Sequence, residues 1–169
     1  MFDMRLDKSN FTEKSYCIED IKILDEITLI HAICEMLYEN HANFLFYDEN
    51  DSVFGMDCKF DLPCLLDSFE QIMDGLQRNK DFEIEFFEPG REYYLSFAND
   101  EGVMTVSLQI GYDEKRVRKY VTESAIVKEI LVNLFKDIFI IAERNINNIR
   151  ENPVFNGWVN ILGLSFWCI

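Results

Sequence analysis

The chain has 169 residues, with 31 Asp and Glu against 16 Lys and Arg, for a formal net charge of −15. Hydrophobic residues make up 49% and charged residues 28%, the composition of a soluble globular protein rather than a disordered or fibrous one. The acidity argues against DNA or RNA binding, whose phosphate contacts need a basic face, and against docking on anionic lipid.

The opening MFDMRLDK carries charges at Asp3, Arg5 and Asp7 that interrupt any apolar run, so no signal peptide is expected. A first helix is predicted near 19–39, with Ile23, Ile27, Ile30, Cys34 and Leu37 recurring at spacings of three and four. Leu29, Ile33 and Met36 widen that stripe. A start as late as Asp25, with 16–23 extended, fits the same residues. Next, 43–47 and 53–60 read as strand–turn–strand around the acidic turn Asp48-Glu49-Asn50-Asp51-Ser52. Leu62, Leu65, Leu66, Phe69, Ile72, Met73 and Leu76 form one face of a second helix, with Asp61 as its cap and Pro63 in its first turn.

Residues 82–110 predict a three-stranded antiparallel meander. A four-residue loop, Glu88-Pro89-Gly90-Arg91, pairs Phe86 with Tyr93, Ile84 with Leu95 and Phe82 with Phe97. A second loop, 99–102, pairs Phe97 with Met104, Leu95 with Val106 and Tyr93 with Leu108. One sheet face is then apolar throughout. The other carries Glu83, Glu85, Glu92, Tyr94, Ser96, Thr105, Ser107 and Gln109.

Beyond Tyr112, residues 113–121 suit a turn and a fourth strand with Val117 and Val121 buried. A long helix over 123–148 presents Ile126, Ile130, Leu131, Leu134, Phe135, Ile138 and Ile141. The tail 153–169, with Phe155, Trp158, Phe166 and Trp167, is predicted to be an extended segment docked on the body. The uncharged stretch 152–169 contains Pro153, Gly157, Gly163 and three Asn, which does not make a membrane-spanning helix. The fold class is α+β, a single domain over 1–169 in which helices cover the apolar face of an antiparallel sheet.

No G-x-G-x-x-G, P-loop, G-x-S-x-G or H-E-x-x-H motif occurs. The five cysteines, Cys17, Cys34, Cys58, Cys64 and Cys168, include no C-x-x-C and read as reduced thiols in a cytoplasmic protein. His31 and Cys34 lie three apart on the first helix, but a structural zinc site needs four ligands, and only Cys58 and Cys64 are at hand. Neither metal nor cofactor is expected. Glu83 and Glu85 stand about 7 Å apart along a strand, a spacing of interest for glycoside chemistry only inside a cleft. The Asp48–Asp51 cluster lacks the ordered spacing of a calcium loop. Lys115, Arg116, Arg118 and Lys119, flanked by Tyr112 and Tyr120, have the composition of a nucleic-acid stacking patch. In so acidic a chain they read as an internal counterbalance or an interface rim.

The charge is unevenly placed. Residues 1–101 hold 24 acids and 8 bases, a net of −16, and residues 102–169 a net of +1. In size, acidity, α+β pattern and the stretch 82–112, FEIEFFEPGREYYLSFANDEGVMTVSLQIGY, the chain resembles the small immunity proteins of bacterial contact-dependent inhibition and related polymorphic toxin systems. That resemblance implies a non-catalytic protein that binds and neutralises a cognate toxin domain, often a cationic nuclease. A negative surface would speed such association. The candidate contacts are Asp48, Glu49 and Asp51 on the first turn, and Glu83, Glu85, Glu92 and Tyr94 on the polar sheet face. A monomer or homodimer is expected, with no nucleic-acid or membrane partner. Two other classes fit the same residues: a small-ligand protein or enzyme, and an adaptor that oligomerises through its apolar tail.

Overall fold

Two antiparallel sheets share one hydrophobic core with five α-helices in the computed structural model, which describes residues 2–47, 53–88, 91–111 and 117–164, with backbone alone at 53–55, 87, 88, 91 and 92. The smaller sheet has the order β1 (Asp3–Asp7), β2 (Asn43–Tyr47) and β3 (Val53–Gly55). β1 was not foreseen; its DMRLD alternates, burying Met4 and Leu6 and sending Arg5 over the Tyr47 ring at 4.5 Å. β3 is shorter than the expected 53–60 strand, because from Asp57 the chain already turns into a helix. The Asp57 carboxylate accepts the backbone N–H groups of Lys59 and Phe60 at 2.8 and 2.7 Å.

Before β2 comes a 3-10 turn at Ile21–Ile23, then α1 (Glu26–Glu39). The later of the two possible starts is the one adopted. Asp25 caps α1 by accepting the Thr28 N–H at 2.8 Å. Leu29, Ile30, Ile33, Cys34, Met36 and Leu37 are buried, but Ile23 and Ile27, expected in the same stripe, face solvent.

The expected second helix is two: α2 (Asp61–Asp67) and α3 (Phe69–Arg78). The break falls at Ser68, whose hydroxyl donates back to the Cys64 carbonyl at 3.0 Å and competes with helical continuation. Asp61 lies inside the first turn of α2 rather than capping it, and accepts the Asp57 N–H at 2.8 Å.

The larger sheet runs β4 (Phe82–Glu88), β5 (Arg91–Asp100), β6 (Val103–Ile110) and β7 (Val117–Glu123), in that order. The expected β4–β5 register is present: Phe82 opposes Phe97, Ile84 opposes Leu95 and Phe86 opposes Tyr93, but the expected four-residue loop is not, because pairing continues to Glu88 opposite Arg91 and leaves two residues between the strands. The β5–β6 register differs from expectation by two residues, with Phe97 opposite Val106 and Leu95 opposite Leu108. The turn holds two residues rather than four. Glu101 and Gly102 take φ of +47° and +90°, the paired positive values of a tight hairpin. A slip of two preserves side-chain parity, so the apolar face is unchanged.

On β7 the faces are reversed from expectation. Val121 is 68% exposed, while Tyr120, opposite Val106, is buried. The sheet's apolar face already has its ladder of large side chains, and the aromatic ring fills the position beside Phe2, at 6.5 Å between centroids.

α4 (Ser124–Asn145) buries Val127 rather than Ile126, which is partly exposed; Leu131, Leu134, Phe135 and Ile138 are buried as expected. A 3-10 turn at Ile149–Glu151 leads into α5 (Pro153–Ile161), where an extended tail was expected. The reason is local. Asn152 accepts the N–H groups of Val154 and Phe155, and Pro153 occupies the first helical position, where its missing N–H costs nothing. Trp158 is buried, stacked on Phe139 at 5.6 Å and edge-on to Phe69 at 6.0 Å. Residues 165–169 lie outside the described residues. No described helix is long and apolar enough to cross a membrane.

Candidate functional site

Strand alternation sends one set of side chains from β4–β7 into the core and the other outward. Two cross-strand rows build the outer face. Glu83, Ser96, Ser107 and Lys119 form one; Glu85, Tyr94, Gln109 and Val117 form the next. Their surface is a shallow concavity of about 730 Å³, lined by Glu83, Tyr94, Ser96, Ser107, Gln109, Val117 and Lys119. Tyr94 is half-buried near the middle, and Glu83 and Glu85 are exposed on the β4 edge. The Gln109 amide donates to the Gly111 carbonyl at 3.1 Å, which fixes one wall.

Of the candidate contacts, Glu83, Glu85 and Tyr94 share this face. The backbone of Glu92 sits beyond them, opposite Phe87. Asp48, Glu49 and Asp51 lie outside the described residues. Lys119 and Val117 were missed. The fourth strand carries them onto the same face, so the surface is acidic along β4, while β7 presents Val117, Lys119 and Val121 with Glu123 at its end. The discoverable signal was the aromatic at 120: once Tyr120 points inward, residues 117, 119 and 121 must point outward.

The basic cluster is divided. Arg118 and Lys119 are neighbours on β7 and therefore point to opposite faces; Lys115 and Arg116 lie outside the described residues.

The thiols form a separate feature. Burial pushes Cys34 well above the ordinary thiol range, with smaller contributions from Cys58 and Cys64. Cys58 is pushed up to about 12, chiefly by burial. Cys58 donates to the Ala42 carbonyl at 3.4 Å, as a structural thiol does. His31, expected to share a face with Cys34, is exposed while Cys34 is buried. Among the described residues, no three His, Cys, Asp or Glu side chains form a group able to hold a metal ion.

An open sheet face with a half-buried aromatic, flanking carboxylates and hydroxyls is suited to covering by another protein surface. Comparison with known proteins returns no match: no family model, no curated protein and no solved structure aligns with the chain.

Proposed function

We propose that this chain is a non-catalytic binding protein, an immunity protein that neutralises a cognate basic toxin domain in the cytoplasm. The observation that carries the reading is the outer face of the large sheet. It presents Tyr94 half-buried in a concavity of about 730 Å³, with Glu83 and Glu85 exposed along one edge. Aromatic anchors surrounded by polar groups are the usual centres of binding energy, and rim charges set the encounter rate. The net of −16 over residues 1–101 supplies the long-range attraction for a cationic partner. The fourth strand adds direction: a partner covering this face would set its basic groups over β4 and acidic or neutral groups over Lys119.

The adaptor reading loses one of its anchors, because Trp158 is committed to the protein's own core against Phe69 and Phe139. The test is surface-plasmon binding to the products of the genes adjacent to this chain's own, at low and high salt, with growth rescue in cells expressing any that is toxic. Binding that weakens with salt, and protection lost on Tyr94→Ala with Glu85→Ala, are the expected results. Failure to bind any adjacent gene product would sink the immunity reading.

A further inference from the structure

β7 is the last strand of the large sheet, and among the described residues no strand pairs with its second edge. Tyr120 is the one buried residue along it; Arg118, Lys119, Val121 and Glu123 are exposed.

Which backbone groups face that edge follows from the ladder. Antiparallel neighbours exchange both hydrogen bonds at every second pair. Ser124 donates its N–H to the Gly102 carbonyl at 2.9 Å, one pair beyond Val103 and Glu123. Thr122, opposite Met104, and Tyr120, opposite Val106, are in the same phase as Ser124. The even-numbered residues therefore bond to β6. Lys119, Val121 and Glu123 turn their N–H and C=O groups to the open edge, and such a row is a template for another strand.

The side chains along this edge are polarised. Lys119 stands toward the start of β7 and Glu123 at its end, with Val121 midway and 68% exposed. All three project from the outer face. Among the described residues neither Lys119 nor Glu123 has an ion-pair partner. The series base, aliphatic, acid is complementary to itself when a copy runs antiparallel.

The phase of the ladder leaves few registers, because only odd-numbered residues can exchange bonds across the edge. Lys119 opposite its own copy sets like charges together, which is destabilising. Lys119 opposite Val121 leaves both charges unanswered. A register further along needs Ala125, which already belongs to α4. With Val121 opposite Val121, Lys119 of each copy faces Glu123 of the other, and the pairing stops before the helix begins.

The charge split favours the same edge. Residues 102–169 net +1 and residues 1–101 net −16, so two copies meet with least repulsion through β7. The opposite edge of the sheet, β4, presents Glu83 and Glu85, and a second β4 would set acid against acid.

We propose that the open edge of β7 is a homodimer interface, where a second copy of this chain pairs antiparallel about Val121 and joins the two large sheets into one. The two-fold axis then stands normal to the sheet, so both Tyr94 faces lie on the same side and stay uncovered. The dimer is independent of any toxin.

The test is sedimentation velocity of the full chain over a concentration series, which should show a reversible monomer–dimer equilibrium. Lys119→Glu and Glu123→Lys, each alone, should raise the dissociation constant about tenfold, since either reversal sets two like-charge pairs across the two-fold axis. An equimolar mixture of the two variants should form a heterodimer, and both substitutions in one chain should restore the homodimer. Val121→Pro removes an N–H that faces the edge rather than β6, and should leave a folded monomer. Melting curves check that each variant folds; if the proline variant does not, the charge exchange decides. A wild-type chain that stays monomeric up to about 1 mM, a dimer indifferent to both reversals, or open-ended assembly in place of a closed dimer would overturn the inference.

Discussion

The side-chain amide of Asn152 donates to the carbonyl of Ile21 at 2.8 Å, joining points 131 residues apart. The same amide donates to the Leu24 carbonyl at 3.0 Å, while its oxygen accepts from Val154 and Phe155. One buried side chain thus caps α5 and ties it to the turn that carries Ile23. Asn152→Ala removes the cap and strands buried carbonyls. It should cost about 2–4 kcal/mol in urea denaturation. Asn152→Asp keeps the cap but sets a buried carboxylate oxygen against the Ile21 and Leu24 carbonyls, and should be no more stable than the alanine variant. A wild-type midpoint for the alanine variant would show that these bonds do not hold the termini together.

Gly75 packs α3 directly against Phe82 of the large sheet. A Cβ there would come within 2.5 Å of Cδ1 of Phe82, and that ring is stacked on Phe97 at 4.4 Å and 12°. Alanine gains about 1 kcal/mol of helix propensity, and overpacking costs about 1–3 kcal/mol. Gly75→Ala should therefore lower the melting temperature slightly; a rise would mean the Phe82 ring yields freely.

Trp158 should report the core directly. With Trp167 replaced by Phe, the remaining tryptophan should emit at short wavelength and resist quenching by iodide, since Trp158 is 1% exposed. Trp158→Ala should cost about 3–5 kcal/mol, as the loss of a large buried aromatic does. Red-shifted emission in the native state would contradict the docking of α5.

Asp25 should make stability depend on pH. The backbone N–H and the side chain of Thr28 hold its carboxyl below the ordinary range in the folded chain. A depressed folded value means the contribution is complete above the unfolded value, about pH 4, and is lost as pH falls through the folded one. Asp25→Asn should keep the cap and flatten this acid-side loss. Asp25→Ala should be less stable than wild type at neutral pH. Identical acid profiles for wild type and Asp25→Asn would show that the loss arises elsewhere.

The polarity of the sheet face can be separated from simple acidity. Glu83→Lys with Lys119→Glu leaves the net charge at its wild-type value but reverses the direction of the row. If a basic partner covers this face, the exchange should slow association as well as shorten the complex lifetime, while a variant with the same net charge altered elsewhere should not. Tyr94→Ala should cost about 1–3 kcal/mol of binding if the ring is a central anchor. Unchanged dissociation in both variants would move the interface off this sheet.

Alternation made the acidic half of that site legible. Phe82-Glu83-Ile84-Glu85-Phe86 has one solution at a half-buried sheet, and the loop after it admits one register. The β5–β6 offset escaped because parity survives a two-residue slip, so the apolar pattern cannot distinguish a four-residue loop from a two-residue hairpin. β7 escaped for a different reason. Val117-Arg118-Lys119-Tyr120-Val121 offers an apolar residue and a base to each face, and only packing beside Phe2 selects Tyr120 for the interior.

The sequence by itself determined the α+β class, the register of β4 against β5, and the outward placement of Glu83, Glu85 and Tyr94. Each follows from local periodicity, where neighbours in the chain are neighbours in space. Tertiary structure alone decided that Lys119 and Val117 complete that face and that Ile23 and Ile27 stay in water. Those outcomes depend on how separate elements pack, and a pattern of period two or 3.6 carries no information about which distant element will cover it.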